Sequence, residues 1–84
     1  MQRATLDQCP QAQPYRVAAV HAPQPAPHWA QQLAELGFLP GEPVMLMARA
    51  PGGDPVVVRV GASTYALRRA EAACVEVVAA SASA

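Results

Sequence analysis

Short apolar runs, each closed by proline or glycine, organise this chain. Tyr15 to Val20 is an apolar run interrupted only by Arg16, bounded by Pro14 and by the proline-dense stretch 22–27, and it predicts a first strand. Trp29, Leu33 and Leu36 recur at i, i+4 and i+7, so His28 to Leu36 predicts a helix with one apolar face. Gly37 stands where a left-handed residue would end it. Leu39-Pro40-Gly41-Glu42 fits a type II turn, because proline presets the first central angle and glycine accepts positive φ at the second.

Beyond that turn, Val44 to Ala48 and Val56 to Val60 are β-rich runs joined by Pro51-Gly52-Gly53-Asp54, which predicts a hairpin. Gly61-Ala62-Ser63 turns into a strand over Thr64 to Arg68, and Cys74 to Val78 makes the last one. The hairpin register decides which side chains face inward. An odd loop puts Val44 and Leu46 on the face of Val56, Val58 and Val60, with a bulge at Gly52 or Gly53 absorbing the extra residue. Arg49 then turns inward only near the strand end, while Met45, Met47, Val57 and Arg59 face out.

Near the start, Thr5-Leu6-Asp7-Gln8 matches the capping-box pattern, and Pro10 limits the helical turn that follows. The alternate prolines 23, 25 and 27 favour extended polyproline conformation and a stiff connection. These elements predict a mainly β domain: a small SH3-like antiparallel barrel of about five strands, with one helix over an opening and a short N-terminal helical turn. The expected core is Leu6, Val17, Leu33, Leu36, Val44, Leu46, Val56, Val58, Val60, Leu67, Val75 and Val77. Residues 1–78 form the single domain in this reading, and 79–84, without a large apolar residue, form a flexible tail.

Composition narrows the function. Six arginines balance six acidic residues and there is no lysine, so the chain lacks the charge excess that phosphate backbones demand, and no nucleic acid is expected as a partner. No stretch reaches signal-peptide or membrane-span length, which predicts a soluble cytoplasmic protein that meets a membrane only through a partner. In a reducing cytosol Cys9 and Cys74 read as small buried hydrophobes; a disulfide would require an oxidising compartment. Ser63 and Thr64 lie far in sequence from both histidines, and no GxxxxGK[ST] loop is present, so no enzymatic activity is expected.

His21 ends the first strand and His28 begins the helix. A tight loop between them would join two imidazoles to Glu35 or Glu42 and hold zinc or iron. The plainer reading is two solvated loop histidines, and the expectation is a weakly bound divalent ion at most, with no cofactor required for folding. Trp29 is a large anchor for a partner, but at helical spacing with Leu33 and Leu36 it reads as core. Arg68 and Arg69 beside Glu71 read as a solvated strand end with local ion pairing rather than an anion site.

The segment from Leu33 to Val44, a helix ending in Leu-Gly, then two residues, Pro-Gly and a strand, resembles the central pattern of FeoA domains. Gly53-Asp54-Pro55, Ala66-Leu67-Arg68 and Glu71-Ala72 through Val77 continue the likeness in order, over roughly residues 4–78. The resemblance implies an SH3-like accessory protein of bacterial ferrous-iron uptake, acting beside the cytoplasmic GTP-binding domain of an FeoB-type transporter. Related domains close metal-dependent transcriptional repressors, so a nucleic-acid or repressor-type barrel is the alternative. With no nucleophile and no nucleotide loop, the chain has its surface to offer. Met45, Met47 and Val57, extended by Phe38 and Leu39, are the expected partner-binding residues, a patch that a homodimer would equally bury.

Overall fold

The computed structural model describes residues 4–80. Six antiparallel strands form one sheet: β1 (Ala4–Thr5), β2 (Tyr15–Val20), β3 (Pro43–Arg49), β4 (Val56–Val60), β5 (Ser63–Leu67) and β6 (Val75–Ala79). Their order is β1-β6-β2-β3-β4-β5. Helix α1 (His28–Leu36) joins β2 to β3, and the four-residue α2 (Arg69–Ala72) joins β5 to β6. The sixth strand and the second helix exceed the sequence expectation. Two-residue β1 has no pattern of its own and exists because β6 offers it an edge, Ala4 facing Val77 and Thr5 facing Glu76. Glu71 starts α2 by accepting the Arg68 backbone N–H at 2.9 Å, and Asp54 accepts that of Arg69 at 2.9 Å.

Inward and outward faces of the central hairpin fall as expected. Val44 pairs with Val60 and Leu46 with Val58, and both pairs are buried together with Val56. The bulge, however, lies at Met47 in β3 and not at Gly52 or Gly53, since the register shifts between Leu46 and Ala48. The glycines instead both adopt positive φ, and Gly52, at φ 85° and ψ −5° after Pro51, makes a type II turn that the Gly53 N–H closes onto the Ala50 carbonyl at 2.8 Å. The connection between the strands is thereby completed locally, and the odd residue is absorbed further down. The Leu46 carbonyl beside the bulge takes the Ala12 N–H at 2.8 Å, which ties the loop before β2 to the hairpin. Ala12 makes that bond from a left-handed conformation, φ 63°.

Other local expectations give way to tertiary demands. Thr5 does not cap the 3-10 turn Leu6–Gln8; its hydroxyl bonds the Asp7 carboxylate at 2.6 Å, a nearer acceptor, while its backbone is held in β1. The proline-dense segment is turned rather than extended, the Ala26 N–H reaching the Pro23 carbonyl at 3.0 Å, because the chain must reverse from β2 into α1. Strand β6 runs through Ala79, which pairs with Tyr15, so the first residue of the expected tail is sheet; residues 81–84 lie outside the described part.

The core contains every residue expected there, with Leu36 only partly buried against it, plus Cys9, Phe38, Ala72 and Cys74. Trp29 packs half-buried on its edge, as expected of a core residue on the apolar face of α1. Arg49 sits at the strand end opposite Val56 and sends its guanidinium back to the carbonyls of Cys9 at 2.7 Å and Asp7 at 3.3 Å. It therefore fastens the N-terminal turn to the hairpin, satisfying carbonyls that no strand reaches.

Candidate functional site

Pairing of β2, β3, β4 and β5 assembles the outer sheet face residue by residue. Arg16 faces Pro43, Met45 faces Arg59, and Arg59 faces Thr64, all on the side opposite the buried row Val44, Val60. Above the Met47 bulge, Ala48 faces Val57 and Val57 faces Ala66. An open groove of about 260 Å³ crosses the β2–β3 end of this surface, with Tyr15, Arg16, Pro43, Met45, Arg59 and Ala80 among its lining residues.

Two arginines flank the apolar bed. Arg16 donates one Nη1 hydrogen bond to the Gly41 carbonyl at 2.9 Å, which holds the side chain along the Leu39–Glu42 turn and leaves other guanidinium donors unused. The Gly41 conformation that presents this carbonyl, φ 89°, is the one the type II turn requires. The Arg59 guanidinium meets no acceptor among the described residues. No residue lining the groove is acidic, and β3, β4 and β5 carry no Asp or Glu at all.

The five residues expected to meet a partner separate here. Met45 and Val57 are half-buried in the outer face, and Met47 at the bulge is 41% exposed. Leu39 is 47% exposed at the turn after α1. Phe38 is not on the surface: it is 1% exposed, so its assignment to a partner surface is corrected to core. Its N–H reaches the Leu33 carbonyl at 3.0 Å while that of Gly37, at φ 116°, reaches Ala34 at 3.0 Å, the two bonds of a Schellman cap. In that motif the residue after the glycine packs against the helix four residues from its end, which buries Phe38 with Leu33. The Gly-Phe pair closing an amphipathic helix carried this signal.

Of the four expected metal ligands, His21 and His28 are exposed, Glu35 is exposed on α1 beside Gln31, and Glu42 is half-buried in the turn before β3. The structure gives His21 a different carboxylate, its Nε2 lying 2.7 Å from Glu76 Oε1. Antiparallel pairing of Ala19 with Glu76 creates this diagonal neighbour, and the His21 N–H continues the ladder to the Cys74 carbonyl at 2.8 Å. Among the described residues no three His, Cys, Asp or Glu side chains converge as a metal site.

Cys9 and Cys74 are free and buried, with each Sγ directed at a backbone carbonyl, Thr5 and Ala70 respectively. Burial is the main cause that raises both thiols above the usual cysteine range, with Asp7 adding to it in each case. Both are neutral thiols at physiological pH and poor nucleophiles.

Six short antiparallel strands wrapped on one apolar core, with a helix between the second and third, define a small SH3-like β-barrel. The chain belongs to the FeoA domain family, whose model matches residues 4–79. Zinc-complexed FeoA from Stenotrophomonas maltophilia, described as a prokaryotic SH3-domain protein, is similar at 38% identity and TM-score 0.79 over 95% of this chain and 93% of that one. Iron(II) transport protein A from Clostridium thermocellum is similar at 28% identity and TM-score 0.78, over 93% of this chain and 46% of that one. A manganese-dependent transcriptional repressor shares the fold, with TM-score 0.77 at 19% identity over 92% of this chain and 41% of the repressor. Among curated proteins no sequence matches significantly. No helix of the described residues is long and apolar enough to cross a membrane.

Proposed function

We propose that this domain is a non-catalytic, cytoplasmic accessory protein of ferrous-iron uptake that works by protein–protein contact with the cytoplasmic GTP-binding region of an FeoB-type transporter. The observation that carries the reading is the FeoA family match across residues 4–79, joined to a 38% identical relative suggested to act as a ferrous-iron-transport activating factor. The outer face supports it: Met45, Met47 and Val57 offer adaptable apolar contact on the sheet, and Leu39 adds an exposed apolar group at the turn after α1. Titration calorimetry with the cognate transporter's cytoplasmic domain tests the partnership. Binding by the wild type, weakened by Met45→Asp and Met47→Asp in folded protein, is expected; no binding in any nucleotide state would reject it.

A divalent ion is a secondary ligand in this reading. The zinc-bound relative supports weak zinc or iron binding, and the His21–Glu76 pair supplies one nitrogen and one oxygen donor of the right type. His28, Glu35 and Glu42 would have to be recruited from their separate positions. Such donors suit a labile surface ion completed by water and not a closed structural site.

A further inference from the structure

We infer that the groove between Arg16 and Arg59 is the recognition site for an acidic segment of a partner protein, in which one or more carboxylates flank a bulky apolar side chain. The inference rests on the protein-contact reading above and specifies the chemistry of what is bound. Its first support is that no acid is among the residues lining the groove. The six carboxylates lie in the 3-10 turn (Asp7), on α1 (Glu35), in the turn before β3 (Glu42), in the β3–β4 connection (Asp54), on α2 (Glu71) and on β6 (Glu76). Five of these have partners inside the fold: Asp7 takes the Thr5 hydroxyl, Asp54 and Glu71 cap α2, Glu76 meets His21, and Glu35 accepts from Gln31. The groove-lining residues include two arginines and no acid, although the chain as a whole is neutral.

The second support is geometric. Arg16 approaches from β2, braced by the Gly41 carbonyl, and Arg59 from β4, paired across from Met45, so the guanidinia stand on opposite sides of the β3 strand. Pro43 and Met45 lie between them, with Tyr15 at one end. A carboxylate takes two parallel N–H bonds from a guanidinium, and both arginines keep such donors in reserve. The methionine bed accepts an apolar side chain without demanding one shape. A purely apolar partner would leave the Arg59 guanidinium facing it undischarged and partly desolvated, whereas an acidic one converts that cost into charge-assisted hydrogen bonds. The volume of about 260 Å³ suits one or two side chains, so a short linear segment is the occupant and not a large flat interface.

Calorimetric titration with the transporter's cytoplasmic domain at low and high salt tests this, using wild type, Arg16→Gln, Arg59→Glu and the control Arg68→Glu, which alters an exposed arginine not among the groove-lining residues. All variants are first checked for a wild-type circular dichroism spectrum. The expected result is affinity that falls several-fold with salt, about tenfold or more weaker binding for Arg59→Glu, a smaller loss for Arg16→Gln, and little change for Arg68→Glu. Wild-type binding that Arg59→Glu and Arg16→Gln leave intact would overturn this inference while sparing the partnership; no wild-type binding would overturn both. Concentration-dependent self-association that Arg59→Glu disperses, or equal salt-sensitive binding of a short oligothymidine, would replace the acidic segment by a second copy or a nucleic acid and overturn the proposal.

Discussion

Phe38 offers the sharpest separation between a structural and a contact role. Its side chain is 1% exposed and is the largest of the fully buried ones, with the Tyr65 ring 6.5 Å away and tilted by 45°. Truncation to alanine removes the whole ring from a packed core, a change that costs about 3–5 kcal/mol where surrounding groups relax only partly. The aromatic pairing with Tyr65 accounts for roughly 0.5–1.5 kcal/mol beyond area burial. A domain of this size has on the order of 4–13 kcal/mol of stability in all, so Phe38→Ala consumes a large share. Urea unfolding followed by Trp29 fluorescence measures it. With a slope near 1 kcal/mol per molar urea, the midpoint should fall by about 3 M or more. Phe38→Leu, which keeps most of the volume, should cost only about 1 kcal/mol. Leu39→Ala, next in the chain but 47% exposed, should stay within about 0.5 kcal/mol. An unchanged midpoint for Phe38→Ala, or an equal loss for Leu39→Ala, would refute the burial of Phe38 through the Schellman cap.

Val58 is 0% exposed opposite Leu46, and Val58→Ala should lower stability by about 1–3 kcal/mol in the same assay; no loss would reject the hairpin register. Burial raises the Cys9, Cys74 and Tyr15 values, so the folded protein retains protons that the unfolded chain has released. Stability should accordingly be intact below about pH 8.5 and fall as pH climbs through the raised values, and native thiols should react slowly with a disulfide reagent until denaturant is added. Rapid reaction at pH 8 or stability rising above pH 9 would contradict it. Thermal unfolding with and without chelator should give the same midpoint, since two donors at His21 and Glu76 do not make metal a condition of folding; a large fall would show that metal is structural.

Much of the barrel was legible because its strands are short apolar runs between strong breakers. Tyr15–Val20, His28–Leu36 and Val56–Val60 coincide with β2, α1 and β4, and the resemblance of the Leu33–Val44 segment led to the family. Local chemistry suffices there: prolines and glycines bound these three elements, Pro14 before β2, Gly37 after α1, and Pro55 and Gly61 around β4. The inward row Val44, Leu46, Val56, Val58 and Val60 also followed from the alternation of side chains along a strand.

Pairing between distant strands was beyond that reach. The bulge at Met47, the two-residue β1 and the His21–Glu76 contact depend on which strands meet and in what register, with 55 residues separating the last pair. The groove has the same origin, since Arg16 and Arg59 become neighbours of Met45 only when β2 and β4 flank β3. Sequence alone determined the longer elements, β2 to β6 and α1, and the side of the central hairpin strands that seeks the core, because those follow from backbone angles and hydrophobic period. The tertiary structure decided which polar groups share a surface, because a charge chooses no neighbour until burial of the apolar rows has set the register.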